Sequence, residues 1–183
     1  MIRRDAMEII CKKIKNDIIV SANGFISRDL FSTLKKPTNF YMIGSMGLAS
    51  SISLGIALKN PRKKIFVFDG DGNILMNLNS LVTIGSLEPK NLIHIIFDNK
   101  IHESTGGQPT HSTEINISKI AKAANYKIFK TKSKKSLEKI LESIKQKQGP
   151  ILILIQISKS KEKSSRVDMD PPLIKSSFMK AIN

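Results

Sequence analysis

Two apolar runs in this chain end on acidic residues. The first is "FVFDGDGNILMN", residues 66–77, and the second is "NLIHIIFDNKI", residues 91–101. A carboxylate at the end of a core strand is costly unless a cation or a hydrogen-bond donor meets it. The glycines of "DGDGN" allow backbone angles and close approaches that other residues resist. Asp71 supplies a hard oxygen ligand, and Gly70, Gly72 and Asn73 frame it. In the second run, Asn99 offers a side-chain oxygen and Ile101 a backbone carbonyl, both neutral. Mg²⁺ takes about six oxygens, so one carboxylate, two neutral oxygens and phosphate oxygens make a plausible set. A helix read over 73–87 starts at the first turn, and its free N–H groups favour an anion such as diphosphate. An Asp/Gly-rich turn can also be nothing more than a turn.

The elements that position these turns follow from hydrophobic periodicity. Helices are expected over 3–15, 26–36, 45–59, 73–87, 116–124, 133–147 and 171–182. Strands are expected over 18–23, 39–44, 63–69, 91–99, 126–130 and 150–157. A polar segment, 100–114, and a polar, extended tail, 158–170, have no periodicity. Alternating strands and helices predict a three-layer α/β/α fold with a mostly parallel sheet. Ligands of such sheets bind beyond the carboxyl ends of the strands. That singles out "SANGF" (21–25), "GSMG" (44–47), "DGDGN" (69–73) and "DNKIHESTGGQPT" (98–110). The chain reads as one domain, 1–183, with the tail and closing helix from about 158.

Composition narrows the function classes. The chain has 183 residues, 40% hydrophobic and 25% charged, as in ordinary globular domains. No apolar run approaches the roughly 18 residues of a membrane span. "MIRRDAMEIICKK" lacks the apolar centre of a signal peptide, so a cytoplasmic protein is expected. Cys11 is the single cysteine; it falls on an apolar helix face and reads as core. No cysteine-ligated zinc or iron–sulfur site can be built from it. The formal net charge is +15, which raises nucleic-acid binding. The lysines nevertheless sit mostly on the solvated face of an amphipathic helix, and aromatics are 5% with no stacking platform among the lysines. No nucleic-acid or membrane partner is expected; the basic surface suits anionic substrates or an acidic partner.

Gly70-Asp71-Gly72 is followed, after 25 residues, by Asp98-Asn99. This resembles the thiamine diphosphate signature of GDG and a downstream Asn-Asn pair, with Asp98 in place of the first Asn. Together with "YMIGSMGLASSISLGIALKNP" and Glu103–Thr110 ("ESTGGQPT"), the chain resembles the cofactor-diphosphate (PP) domain of thiamine diphosphate-dependent 2-oxoacid decarboxylases. The nearest likeness is to the β-type subunits of the sulfopyruvate and phosphonopyruvate decarboxylases. The resemblance implies that Asp71, Asn99 and the Ile101 carbonyl hold Mg²⁺. It places Gly72 and Asn73 at the diphosphate, with Asn23 and Gly24 as a second contact. It gives the Gly44 carbonyl, beside Ser45, to the aminopyrimidine, and makes Met46 the apolar wedge under the bent cofactor. Ser104 and Thr105 are candidate donors to phosphate or substrate. His102 is the candidate proton carrier and His111 a weaker one, whereas His94, in mid-strand, reads as structural. Lys100 and Arg166 are remote candidates.

Such enzymes also use a Glu on the pyrimidine, supplied by a separate pyrimidine-binding (PYR) domain. Glu8, Glu88 and Glu103 do not stand in a matching context. The resemblance therefore implies a hetero-oligomer, with an α-type PYR partner completing the site, and an anionic 2-oxoacid losing CO₂ to give an aldehyde. Three alternatives stand beside it: a 2-oxoacid oxidoreductase subunit, an acetolactate-synthase-like carboligase subunit, and a non-enzymatic basic binding module.

Overall fold

The computed structural model describes residues 1–14, 16–160 and 163–182. Six strands form one parallel sheet: β1 (Ile18–Ser21), β2 (Asn39–Tyr41), β3 (Ile65–Gly70), β4 (Leu92–Asp98), β5 (Lys127–Thr131) and β6 (Ile151–Gln156). Their order is β2-β1-β3-β4-β6-β5, and every pairing is parallel. β3 and β4 are central and buried at every position, so both read as continuous apolar runs rather than as alternating ones.

Among the described residues eight helices accompany the strands: α1 (Arg3–Lys13) before β1, α2 (Phe25–Thr33), α3 (Ala49–Lys59), α4 (Asp71–Leu75), α5 (Asn79–Leu87), α6 (Ile117–Ala123) and α7 (Lys134–Ser143) between strands, and α8 (Pro171–Ile182) after β6. α1 packs on α2 and α7 in one layer, and α3 and α6 pack on α5 in the other. α8 closes over β2, with Phe178 against Phe40 at 5.2 Å between ring centroids. From β1 the chain passes to β2 on one side and then returns to β3 on the other. The gap this leaves beyond the ends of β1 and β3 is where open α/β sheets bind ligands.

Several expected boundaries move. The helix expected from 45 begins at Ala49, because Ser45 (φ 55°) and Gly47 (φ 91°) adopt left-handed angles that no helix continues. The helix expected over 73–87 starts earlier, at Asp71, and breaks into α4 and α5. At the break, Asn77, Ser80 and Leu81 donate to carbonyls three residues back, and the Asn77 side chain turns to the Gly47 carbonyl at 2.7 Å. The strand expected over 39–44 ends at Tyr41, and the one over 18–23 at Ser21. The helix expected over 3–15 ends at Lys13; its last residue, Lys15, lies outside the described residues, as do 161–162 of the tail. Cys11 is buried in the core, as its helix position suggests, and burial pushes its thiol up to about 12.

Gly85 shows how closely one layer is packed. A Cβ added there would lie 1.7 Å from the Ala124 carbonyl oxygen at the end of α6. In an open helix, Gly→Ala gains up to about 1 kcal/mol; here the overlap reverses the sign. Gly85→Ala is expected to lower stability by about 1–3 kcal/mol, read as a fall in the urea midpoint.

Candidate active site

A cleft opens beyond the carboxyl ends of β1, β3 and β4. Asn23, Met46, Gly70, Asp71, Gly72, Asn73, Asn99, Ile101, His102 and Ser104 all line it. These residues come from four separate segments, so the fold brings together most of the candidates read from the sequence. Gly24, the N-cap of α2 at φ 76°, adjoins the cleft: a Cβ there would lie 3.3 Å from Ser104 Oγ. Gly44 and Ser45 lie instead on a neighbouring apolar hollow, with Phe40, Ile43, Leu48, Ile52 and Ile174. His111 and Thr105 are exposed and do not line the cleft. Neither Lys100 nor Arg166 lines it, and both are exposed.

The two acids of "DGDG" have different surroundings. Asp69 has no exposed surface. Its Oδ2 meets His94 Nε2 at 3.0 Å, and its Oδ1 accepts from the Gly70 N–H at 2.8 Å and from the Asn73 side chain. His94 is therefore structural, as its mid-strand position suggests. Asn73 passes the connection on: its Oδ1 accepts from the Gly47 N–H at 2.8 Å. The Asn73 side chain thus ties the Met46 loop to the end of β3.

Asp71 is the first residue of α4 and 2% exposed. Among the described residues no cationic side chain pairs with it; the Thr110 hydroxyl donates to its Oδ2. Burial is the main cause that raises its pKa above the usual carboxylate range. The Thr110 hydrogen bond opposes that rise and the nearby charge of Asp98 adds to it. Asp98 is also buried and accepts from Ser112 Oγ at 2.9 Å and from the Lys100 N–H at 3.2 Å.

Asn99 and Ile101 form a tight turn at the end of β4. Asn99 Oδ1 accepts from the Ile101 N–H at 3.2 Å, and the Ile101 carbonyl accepts from the Glu103 N–H at 3.0 Å. Each of these oxygens keeps a free lone pair. A buried carboxylate without a cation, beside a second carboxylate and neutral oxygens on the same cleft, is a donor set that fits a hard divalent ion. His102 lies over Gly72: a Cβ on Gly72 would come within 2.6 Å of the imidazole Cε1. The polar segment is held in a small hairpin, with an antiparallel bridge between Ile101 and Pro109 and a His102 N–H bond to the Gln108 carbonyl of 2.8 Å.

The cleft also contains residues that had no role assigned from the sequence. Arg3, Phe25, Ile26, Phe97 and Glu103 line it, and Thr110 caps Asp71 from behind. The Arg3 guanidinium joins Asp29 and Glu103 at 2.6 and 2.7 Å. Phe25 falls in "SANGF", and Glu103 and Thr110 in "DNKIHESTGGQPT", two stretches that pointed to the site; Arg3, Ile26 and Phe97 fall in neither.

The chain matches the thiamine pyrophosphate enzyme, C-terminal TPP binding domain family over residues 24–155, and it belongs to that family. It is 42% identical to the sulfopyruvate decarboxylase subunit beta of Methanocaldococcus jannaschii over 181 residues, covering 96% of each chain. It is 38% identical to the phosphonopyruvate decarboxylase of Streptomyces viridochromogenes over 154 residues, covering 83% of this chain but 38% of that one. In fold it is similar to a chain described as a thiamin diphosphate-dependent enzyme from Mycobacterium smegmatis, with a TM-score of 0.75 at 20% identity; the match covers 87% of this chain and 32% of that one.

The raised pKa of Asp71 has a measurable sign. The folded chain holds this proton more tightly than the unfolded chain does, so the carboxylate lowers stability as pH rises from about 4 through the raised value. In the ligand-free chain, Asp71→Asn is expected to raise the thermal midpoint at pH 7, with the gain shrinking towards pH 4. An unchanged or lower midpoint at pH 7 would count against an uncompensated charge at this position.

Proposed function

We propose that the chain is the β-type subunit of a thiamine diphosphate- and Mg²⁺-dependent decarboxylase of sulfopyruvate, releasing CO₂ and the aldehyde. The observation that carries this reading is the cationless Asp71 facing Asn99 and Ile101 across one cleft, in a chain similar along its whole length to sulfopyruvate decarboxylase β subunits. When bound, thiamine diphosphate supplies the electron sink for the charge that CO₂ leaves behind. Asp71, Asn99 and the Ile101 carbonyl would hold Mg²⁺, which would supply charge to balance the diphosphate. Gly72, Gly24 and Ser104 form the cradle for its oxygens, where small residues allow close approach. Asn73 serves that cradle with its backbone, because its side chain is committed to Asp69 and Gly47. Met46 supports the cofactor from the loop side. Phe25, Ile26 and Phe97 keep water out. His102, whose ring lies near Gly72, would move a proton.

The site is incomplete without a partner. The match covers 38% of the length of the Streptomyces phosphonopyruvate decarboxylase but 96% of that of the β subunit, so most of the former lies outside the match. Among the described residues Glu103 is the one glutamate on the cleft, and it is engaged by Arg3 and Asn99. It is therefore not free to serve the pyrimidine. An α-type PYR subunit supplies that glutamate. The hollow beside Gly44 and Ser45 supports its seat there, since Ile43 and Leu48, which line it, are about half exposed (52% and 45%). Among the described residues no helix is long and apolar enough to cross a membrane. The single reduced, buried cysteine suits a reducing cytoplasm.

Arg28 does not line the cleft but lies close to it, and it is the cation we assign to the sulfonate. It lies on α2, and its guanidinium stacks at 4.9 Å from the ring centre of the cleft-lining Phe25. No carboxylate pairs with it among the described residues. The test is CO₂ release from sulfopyruvate, phosphonopyruvate and pyruvate by the chain alone and by the chain co-purified with its PYR partner. Turnover of sulfopyruvate in the complex alone is the expected result; full turnover by the isolated chain would defeat the shared-site reading. In the active complex, Arg28→Ala is expected to raise KM for sulfopyruvate about tenfold or more, the size of one lost charge-assisted hydrogen bond, and to leave pyruvate nearly untouched.

A further inference from the structure

Arg3 sits in the first turn of α1 and is 6% exposed, yet it lines the cleft. Its Nε donates to Asp29 Oδ2 at 2.6 Å and its Nη1 to Glu103 Oε2 at 2.7 Å. The same Glu103 oxygen accepts from Asn99 Nδ2 at 3.2 Å, and Oε1 of that carboxylate accepts from the Ser160 N–H at 3.3 Å. Asp29 is held from its other side by Ser164 Oγ at 2.6 Å. An α1 cation and the tail after β6 thus converge on one carboxylate beside the Asn99 turn. Ile2 and Ser158 also form a parallel bridge, which brings α1 and the tail together at this point.

The chemistry of the amide makes this arrangement directional. The two ends of an Asn side chain are nearly the same shape, so packing alone does not fix which end faces a ligand. An ionised carboxylate only accepts hydrogen bonds. Glu103 therefore takes the NH₂ end of Asn99 and rejects the oxygen end. The oxygen is left towards the Ile101 side of the turn, where it accepts the Ile101 N–H. Arg3 meets Glu103 from the other side of the same oxygen, at 2.7 Å. The Arg3 fork spans both acids, Nε on Asp29 and Nη1 on Glu103, so it holds Glu103 at a fixed distance from α2.

We propose that Arg3 and Glu103 are positioning residues for the metal-ligating oxygen of Asn99. This rests on the metal reading given above. Groups that hold a metal ligand from behind change metal affinity by about 10- to 100-fold when removed, although they touch neither metal nor cofactor.

The probe is Mn²⁺, titrated by its free-ion electron paramagnetic resonance signal into the full chain with its PYR partner and thiamine diphosphate. Glu103→Leu removes the anchor while Arg3 keeps Asp29, which protects the fold. It is expected to raise the Mn²⁺ dissociation constant about tenfold or more. Glu103→Gln, which keeps one acceptor oxygen, should recover most of that affinity. Arg3→Lys loses the planar fork that spans both acids and should fall between wild type and Glu103→Leu. Mn²⁺ binding by Glu103→Leu within twofold of wild type overturns the assignment. So does a Glu103→Gln loss equal to that of Glu103→Leu, which would mark a general structural effect. No Mn²⁺ uptake by the wild-type complex removes the metal reading, and this assignment with it.

Discussion

Asp69 is a carboxylate with no exposed surface at the end of the central strand, and the structure around the cleft is arranged to satisfy it. Leaving such a group without partners costs several kcal/mol. His94 reaches it from β4, the Gly70 N–H from its own strand end, and Asn73 from α4. Because Asn73 also holds the Gly47 N–H, one buried charge fixes the ends of β3 and β4 and the loop that carries Met46. His94 Nδ1 has no partner among the described residues, so the requirement of the carboxylate outweighs that of the ring.

Asp71, two residues later, shows the opposite balance. Its partner is a hydroxyl, its neighbour is another acid, and burial raises its pKa. Such a group lowers the stability of the empty chain and is retained where a ligand will offset it. The pair thus separates two tasks within three residues: Asp69 fixes the position of the turn, and Asp71 provides the charge that the turn presents. The glycines between and beside them serve close approach. At Gly72 the approaching group is His102, and at Gly70 it is the Ile26 methyl, 3.2 Å from where a Cβ would stand.

Much of this arrangement was legible in the sequence, for identifiable reasons. Runs such as "ILILIQ" and "LIHIIFD" announce buried strands, and their alternation with helices announces a parallel sheet. Asp71, Asn99 and Ile101 were legible because a fixed spacing between two strand ends places them side by side. Helix starts were less so. Small and apolar residues continue through 45–48 as if the helix did too, and only the φ angles of Ser45 and Gly47 show the turn. The 71–87 segment keeps its helical period across the break at 76–78, because the cause of the break, Asn77 reaching to Gly47, lies 30 residues away. The same holds for Arg3 and Glu103, paired across 100 residues. Contacts of this kind leave no periodicity in the sequence.

The family match runs from 24 to 155, whereas Arg3 precedes that range and Ser160 and Ser164 follow it. Both sets of contacts close on Glu103 and Asp29, inside the range. The portion that thiamine pyrophosphate enzymes hold in common therefore contains two acids whose neutralising guanidinium comes from outside it. A fragment cut at the edges of the common portion would keep every residue proposed to face the cofactor except Asn23 and still carry two acids without their guanidinium. The boundary of a recognisable family and the boundary of an electrically balanced unit are different lines in this chain, and excision, grafting or domain exchange has to follow the second.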